Sequence, residues 1–64
     1  MAGSDLVGVP EIAELYGISR QRADQLTRDR DFPEAAKVER RGARVRRWWT
    51  RRDVERYGRQ TGRI

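Results

Sequence analysis

Cysteine and histidine are absent from the 64 residues. Without cysteine no disulfide can staple the fold and no thiolate can hold zinc. Without histidine the chain lacks the usual general base, the commonest metal ligand and any Ser-His or Cys-His nucleophile pair. Carboxylates and Lys37 remain, but nothing groups them into a catalytic arrangement, so no enzymatic activity, no metal and no cofactor is expected. No apolar run reaches the length of a membrane span or a signal peptide. The expectation is a soluble, cytoplasmic, nucleoid-associated protein with no membrane partner. Phenylalanine and methionine occur once each. A chain this short makes one domain with a small core.

Basic charge is plentiful: Lys plus Arg number 15 against 10 Asp plus Glu, a net +5. Lys37 is the single lysine, so the excess is arginine, whose planar fork grips phosphates and guanine edges bidentately. Coding by a GC-rich genome would raise arginine in the same way. The charge is uneven. Residues 1–36 carry four basic and seven acidic residues, a net −3, and residues 37–64 carry eleven against three, a net +8. A polyanion would be drawn mainly to the second half.

The stretch Val9–Arg28 has the grammar of two short helices joined by a tight turn at Tyr16-Gly17-Ile18-Ser19. Pro10 suits the first helical position. Ile12, Ala13 and Leu15 form an apolar stripe, and the small Ala13 lets the next helix pack close. Gly17 can take the left-handed conformation that ends a helix. Ser19 caps a second helix predicted from about Arg20 to Asp29. Ala23 and Leu26 set its buried side, which turns Gln21 and Arg28 outward with Asp24 and Gln25 beside them. Arg22 lies next to the buried stripe, better placed for a backbone phosphate than for a base. Asp24 can pair with Arg20 or Arg28. An ordinary helical hairpin would share much of this grammar.

On either side the chain is also legible. Met1 to Asp5 is small, polar and expected to fray. Leu6 and Val7 suit a short strand or a packing position. Asp31-Phe32-Pro33 ends the second helix, with Phe32 extended before the proline and anchored in the core. Ala36 to Trp49 has the pattern of a hairpin turning at Gly42. Alternation places Val45, Arg47 and Trp49 on one face and Arg44, Arg46 and Trp48 on the other. Trp49 is expected in the core and Trp48 partly exposed. Thr50 opens a third helix through a capping box with Asp53. Val54 and Tyr57 are its buried positions, and Gly58 and Gly62 predict fraying after about Gly58. The predicted core is Ile12, Ala13, Leu15, Ile18, Ala23, Leu26, Phe32, Val38, Val45, Trp49, Val54 and Tyr57. Residues 5–58 form the ordered part of one domain, and 59–64 a basic tail.

The order helix, turn, helix, F-P loop, basic hairpin, helix resembles the winged helix-turn-helix domains of the MerR superfamily. The nearest branch is the small stand-alone one that includes phage excisionases and AlpA-type regulators. The resemblance is carried by E-I-A-E-L-Y-G-I-S-R-Q-R at Glu11–Arg22, D-F-P at Asp31–Pro33, Gly42-Ala43-Arg44, and W-T-R-R-D-V at Trp49–Val54. It covers nearly the whole chain, and the ordered set is more specific than any piece. It implies a mainly α fold, three helices plus a two-stranded wing. The second helix would lie in the major groove and the wing on the flanking backbone or minor groove. Carried over by position, Ser19, Arg20, Gln21, Arg22 and Gln25 match the recognition helix, to which the helical wheel adds Arg28. Arg40, Arg41, Arg44, Arg46 and Arg47 match the wing. Asp24 departs from the pattern, since a carboxylate repels phosphate unless it is paired or reads a cytosine amino group. The long coiled-coil helix and effector domain of full-length MerR regulators have no counterpart, so neither sensing nor constitutive dimerisation is implied.

The leading expectation is sequence-specific binding of double-stranded DNA by a small transcriptional regulator. It would be a monomer in solution and cooperative on adjacent sites. An excisionase that bends DNA for an integrase is the alternative within this class. A protein-interaction module that keeps the fold without binding DNA is the alternative outside it. Trp48 among arginines also suits stacking on single strands.

Overall fold

The computed structural model describes residues 5–64. Its elements, in chain order, are β1 (Leu6–Val7), α1 (Val9–Tyr16), α2 (Arg20–Thr27), β2 (Lys37–Arg41), β3 (Arg44–Thr50) and α3 (Arg51–Gln60). The expected fraying of residues 1–4 lies outside the described residues. Asp5 is held, because its carbonyl accepts the Arg51 N–H at 2.8 Å.

Local hydrogen bonds explain where the helices begin and end. α1 starts at Val9, so Pro10 is its second residue rather than its first; an N–H is dispensable at both positions. Gly8 has no side chain with which to cap, and Glu11 instead turns back to accept the Gly8 N–H at 2.8 Å. Gly17 ends the helix with φ 67°, while Ile18 N–H bonds Ala13 C=O and Gly17 N–H bonds Glu14 C=O. That double closure is a Schellman motif. Ser19 Oγ then accepts the Arg22 N–H at 3.1 Å and starts α2 only three residues later. α2 stops at Thr27, two residues before the predicted end. Arg28 and Asp29 N–H bond Gln25 and Leu26 C=O in tighter three-residue steps. Thr50 Oγ1 accepts the Asp53 N–H and opens α3. Among the described residues the Asp53 carboxylate does not return the bond, so half of the expected capping box forms; Asp is one methylene shorter than Glu.

The sheet is antiparallel with order β1-β3-β2. The expected two-stranded hairpin is therefore part of a three-stranded sheet. β1 pairs only with the base of β3, Leu6 with Thr50 and Val7 with Trp49. β2 pairs along β3 from Lys37–Trp48 to Arg41–Arg44, closed by Gly42-Ala43. Positive φ falls at Gly42, the first central residue, and not at Ala43, as a type II′ turn requires.

The core gathers Val7, Ile12, Ala13, Tyr16, Ala23, Phe32, Trp49, Val54 and Tyr57. Phe32 stands edge-on to Trp49 at 5.6 Å and to Tyr57 at 4.9 Å. Leu15, Ile18 and Leu26 pack against this cluster while remaining half-buried. Two predicted core residues are not in it: Val38 is 49% exposed and Val45 42%. They share a sheet face with Trp49, but Val45 lies four residues up the strand, about 13 Å beyond it, where no helix covers the hairpin. Val7 joins the core from the short strand expected at Leu6–Val7, and Tyr16 joins it unpredicted. Tyr16 lies four residues after Ile12 and three after Ala13, so extending the α1 stripe by one step would have included it.

Tyr16 also bonds: its hydroxyl donates to the Val54 carbonyl of α3. Burial pushes its pKa up to about 12, nearby Tyr57 adds to the rise, and Arg63 opposes it. The neutral phenol is thus favoured in the folded state. Its contribution to stability is complete below pH 10 and is lost as pH climbs toward 12. Tyr16→Phe should lower stability by about 1 kcal/mol at neutral pH and remove that part of the alkaline decline. Urea melts across this range test both.

α3 does not fray at Gly58. It continues to Gln60, and Gly58 is buried. The chain then closes a second Schellman motif at Gly62 (φ 75°), with Arg63 N–H on Gly58 C=O and Gly62 N–H on Arg59 C=O. Arg59 and Gln60 are thus helical, and residues 61–64 fold back instead of forming a free basic tail. The reason is a close approach: a Cβ on Gly58 would lie 2.8 Å from the Tyr16 ring and 2.8 Å from Ile64. Ile64 can move, but the Tyr16 ring is pinned by its hydroxyl. Gly58→Ala should therefore lose roughly 1 kcal/mol net, overpacking outweighing the better helix propensity. A thermal melt should show Tm several degrees lower, and a rise would remove the packing role of Gly58.

Candidate nucleic-acid interface

Of α2's predicted contact residues, Ser19, Arg20, Gln21, Arg22, Gln25 and Arg28 are all exposed, while Ala23 faces the core. Gln21 and Arg28, seven residues apart, share the outward side, with Gln25 beside them. Asp24 resolves as a pair with Arg28 at 3.1 Å rather than with Arg20. Both partners are well exposed, so the bridge contributes little to stability. Its effect is to neutralise a carboxylate on this surface and to steer Arg28. Arg22 and Gln25 turn away from the hairpin side. With Ile18, Leu26, Asp29 and Arg63 they border a separate shallow groove, which agrees with the predicted position of Arg22 beside the buried stripe.

The hairpin arginines divide between two faces. The register sets Lys37, Glu39, Arg41, Arg44, Arg46 and Trp48 on one face, and Val38, Arg40, Val45, Arg47 and Trp49 on the other. Arg41 and Arg44 stand directly opposite at the tip, where like charges repel. Trp48 is half-buried, with the Lys37 ammonium 5.2 Å and the Arg46 guanidinium 5.5 Å from its ring centroid. These cation–π contacts hold two of the charges in place. Lys37 is not among the predicted contact residues; its pairing with Trp48 follows from the strand register and is not visible one residue at a time.

Between α2 and the hairpin runs an open groove of about 520 Å³. Asp24, Thr27 and Arg28 form one wall, Val45 to Trp49 the other, and Gly8 to Glu11 the end of α1 between them. β1 covers β3 only at Trp49 and Thr50, so the rest of that β3 edge has no strand partner. The groove thus joins the polar face of α2 to Arg46 and Arg47. Only two ion pairs form among the described residues, Arg28–Asp24 and Arg51–Glu55. The hairpin charges therefore have no internal acid within ion-pair distance and remain available to an anion. No helix among the described residues is long and apolar enough to cross a membrane. No protein-family model, curated protein or solved structure matches the chain.

Proposed function

We propose that this chain binds double-stranded DNA as a winged helix-turn-helix protein and acts as a small transcriptional regulator. α2 enters the major groove, and the β2–β3 hairpin is the wing on the backbone or minor groove. The observation that carries this reading is the shared groove: the Ser19-capped α2 lines one wall with Asp24, Thr27 and Arg28, and the other wall is a hairpin whose arginines lack acidic partners. Glutamine amides pair bidentately with adenine and guanidinium forks with guanine. The wing supplies sequence-independent grip on phosphates. The MerR-superfamily resemblance supports the same assignment of elements.

Selection of bound sites from a random duplex pool, followed by competition with random duplex and with single strands across a salt series, tests the reading. An enriched motif and poor competition by single strands are expected. Equal competition by single strands overturns it. Within the same assay Gln21→Ala should reduce preference for the selected site by about 1–3 kcal/mol, the discrimination of one bidentate pair. Its affinity for random duplex should stay near wild type. A uniform loss on every sequence would remove Gln21 from the base-reading group.

A further inference from the structure

α3 carries a second cationic surface. Val54, Tyr57 and Gly58 define its buried side. At 100° per residue, Arg52, Arg56 and Arg59 then fall within about 40° of the direction opposite to that side. They sit at i, i+4 and i+7, spanning about 10 Å along the helix axis, and all three are exposed. None has an acidic partner within ion-pair distance: Glu55, the nearest carboxylate along the helix on one flank, is taken by Arg51 at 3.1 Å. None lines the groove between α2 and the hairpin. A row of three unpaired guanidinium groups carries mutual repulsion that a line of regularly spaced anions would relieve.

We propose that this α3 stripe binds the phosphate backbone of a second DNA duplex, so that one protein molecule bridges two DNA segments. The proposal rests on the reading of α2 and the wing as the first DNA-binding face. A duplex backbone fits better than a discrete anion, because the stripe is linear, convex and made of arginine alone, with no enclosing pocket. Because Arg52, Arg56 and Arg59 lie outside the α2–hairpin groove, a duplex held there leaves them unused, and one molecule then needs no self-association to hold a second.

The test uses the full chain. A biotinylated duplex bearing the selected site is immobilised and loaded with protein, and a fluorescent random duplex is added at low salt. Wild type should retain the second duplex. The triple variant Arg52→Gln, Arg56→Gln, Arg59→Gln should bind the first duplex within about twofold of wild type and reduce capture of the second by at least tenfold, the scale set by removing up to three phosphate contacts. Circular dichroism confirms that the variant is folded, and Arg52→Lys, Arg56→Lys, Arg59→Lys should restore capture. A variant that loses the first duplex places the stripe in the first interface and overturns the bridge. Undiminished capture by the triple variant assigns bridging to self-association and overturns it too. Preferential displacement of the second duplex by a polyglutamate peptide makes the stripe a protein-docking surface instead. If wild type holds the first duplex and captures no second, the bridge alone fails; if it holds no first duplex, the DNA-binding reading fails and the bridge with it.

Discussion

Trp49→Ala should leave the protein largely unfolded at 37 °C. Trp49 is 3% exposed, and two distant parts of the chain, the Phe32–Pro33 loop and β1, meet on it. Its indole N–H donates to Pro33 C=O at 2.9 Å, its ring meets Phe32 edge-on, and its backbone pairs with Val7 of β1. Truncating a buried Trp typically costs about 3–5 kcal/mol, and a chain of this length has a total stability of roughly 3–10 kcal/mol. With no cysteine to form a disulfide that could share the load, the loss is comparable to the whole. Urea denaturation followed by near-ultraviolet circular dichroism measures it, with an osmolyte added to recover a folded baseline. Trp49→Phe should be milder, because it keeps a ring against Phe32 and forfeits the Pro33 bond. Trp48→Ala, removing a half-buried ring beneath two cations, should cost about 1 kcal/mol. A loss under about 1 kcal/mol for Trp49→Ala would mean that the core does not close around it.

The second large effect concerns binding. Arg44→Ala combined with Arg46→Ala should weaken binding to every duplex by roughly tenfold to a hundredfold at low salt. The same double variant should flatten the slope of log K against log salt by about 1.8, near 0.9 for each phosphate that is no longer neutralised. Arg44 faces Arg41 across the tip, and Arg46 lies over Trp48. The double variant should fold, since relief of the Arg41–Arg44 repulsion partly offsets the missing cation–π attraction. Arg46→Lys should keep the slope, because charge carries it, while giving up part of the affinity that a rigid fork provides. An unchanged slope in the double variant would remove these two arginines from phosphate binding and leave Arg40 and Arg47, on the opposite face, as the wing residues to test.

Which features the residues announce depends on the range of the interactions behind them. Ser19 and Thr50 as caps, Gly17 as a helix stop and Gly42 as the hairpin turn each depend on bonds spanning a few residues. Those bonds form wherever the local sequence occurs, so the residues alone reveal them. The opposite orientation of Trp48 and Trp49 follows from strand alternation in the same way. For the candidate site, the outward side of α2 and the arginine content of the hairpin are readable for the same reason. The two-faced division of the hairpin arginines follows from strand alternation and register.

Local sequence thus sets three helices, their caps, a hairpin and the uneven charge. Tertiary packing settles where those elements run off the core or onto it. Val38 and Val45 obey the predicted alternation yet stand in solvent, because burial depends on what lies across from a strand and not on its own pattern. Gly58 weakens a helix in isolation, yet here its missing Cβ admits the Tyr16 ring from 42 residues away, and the helix continues to Gln60. That continuation turns Arg59 from part of a tail into the third member of a stripe with Arg52 and Arg56. Such contacts join residues far apart in the chain, and no local propensity encodes which distant surface will arrive.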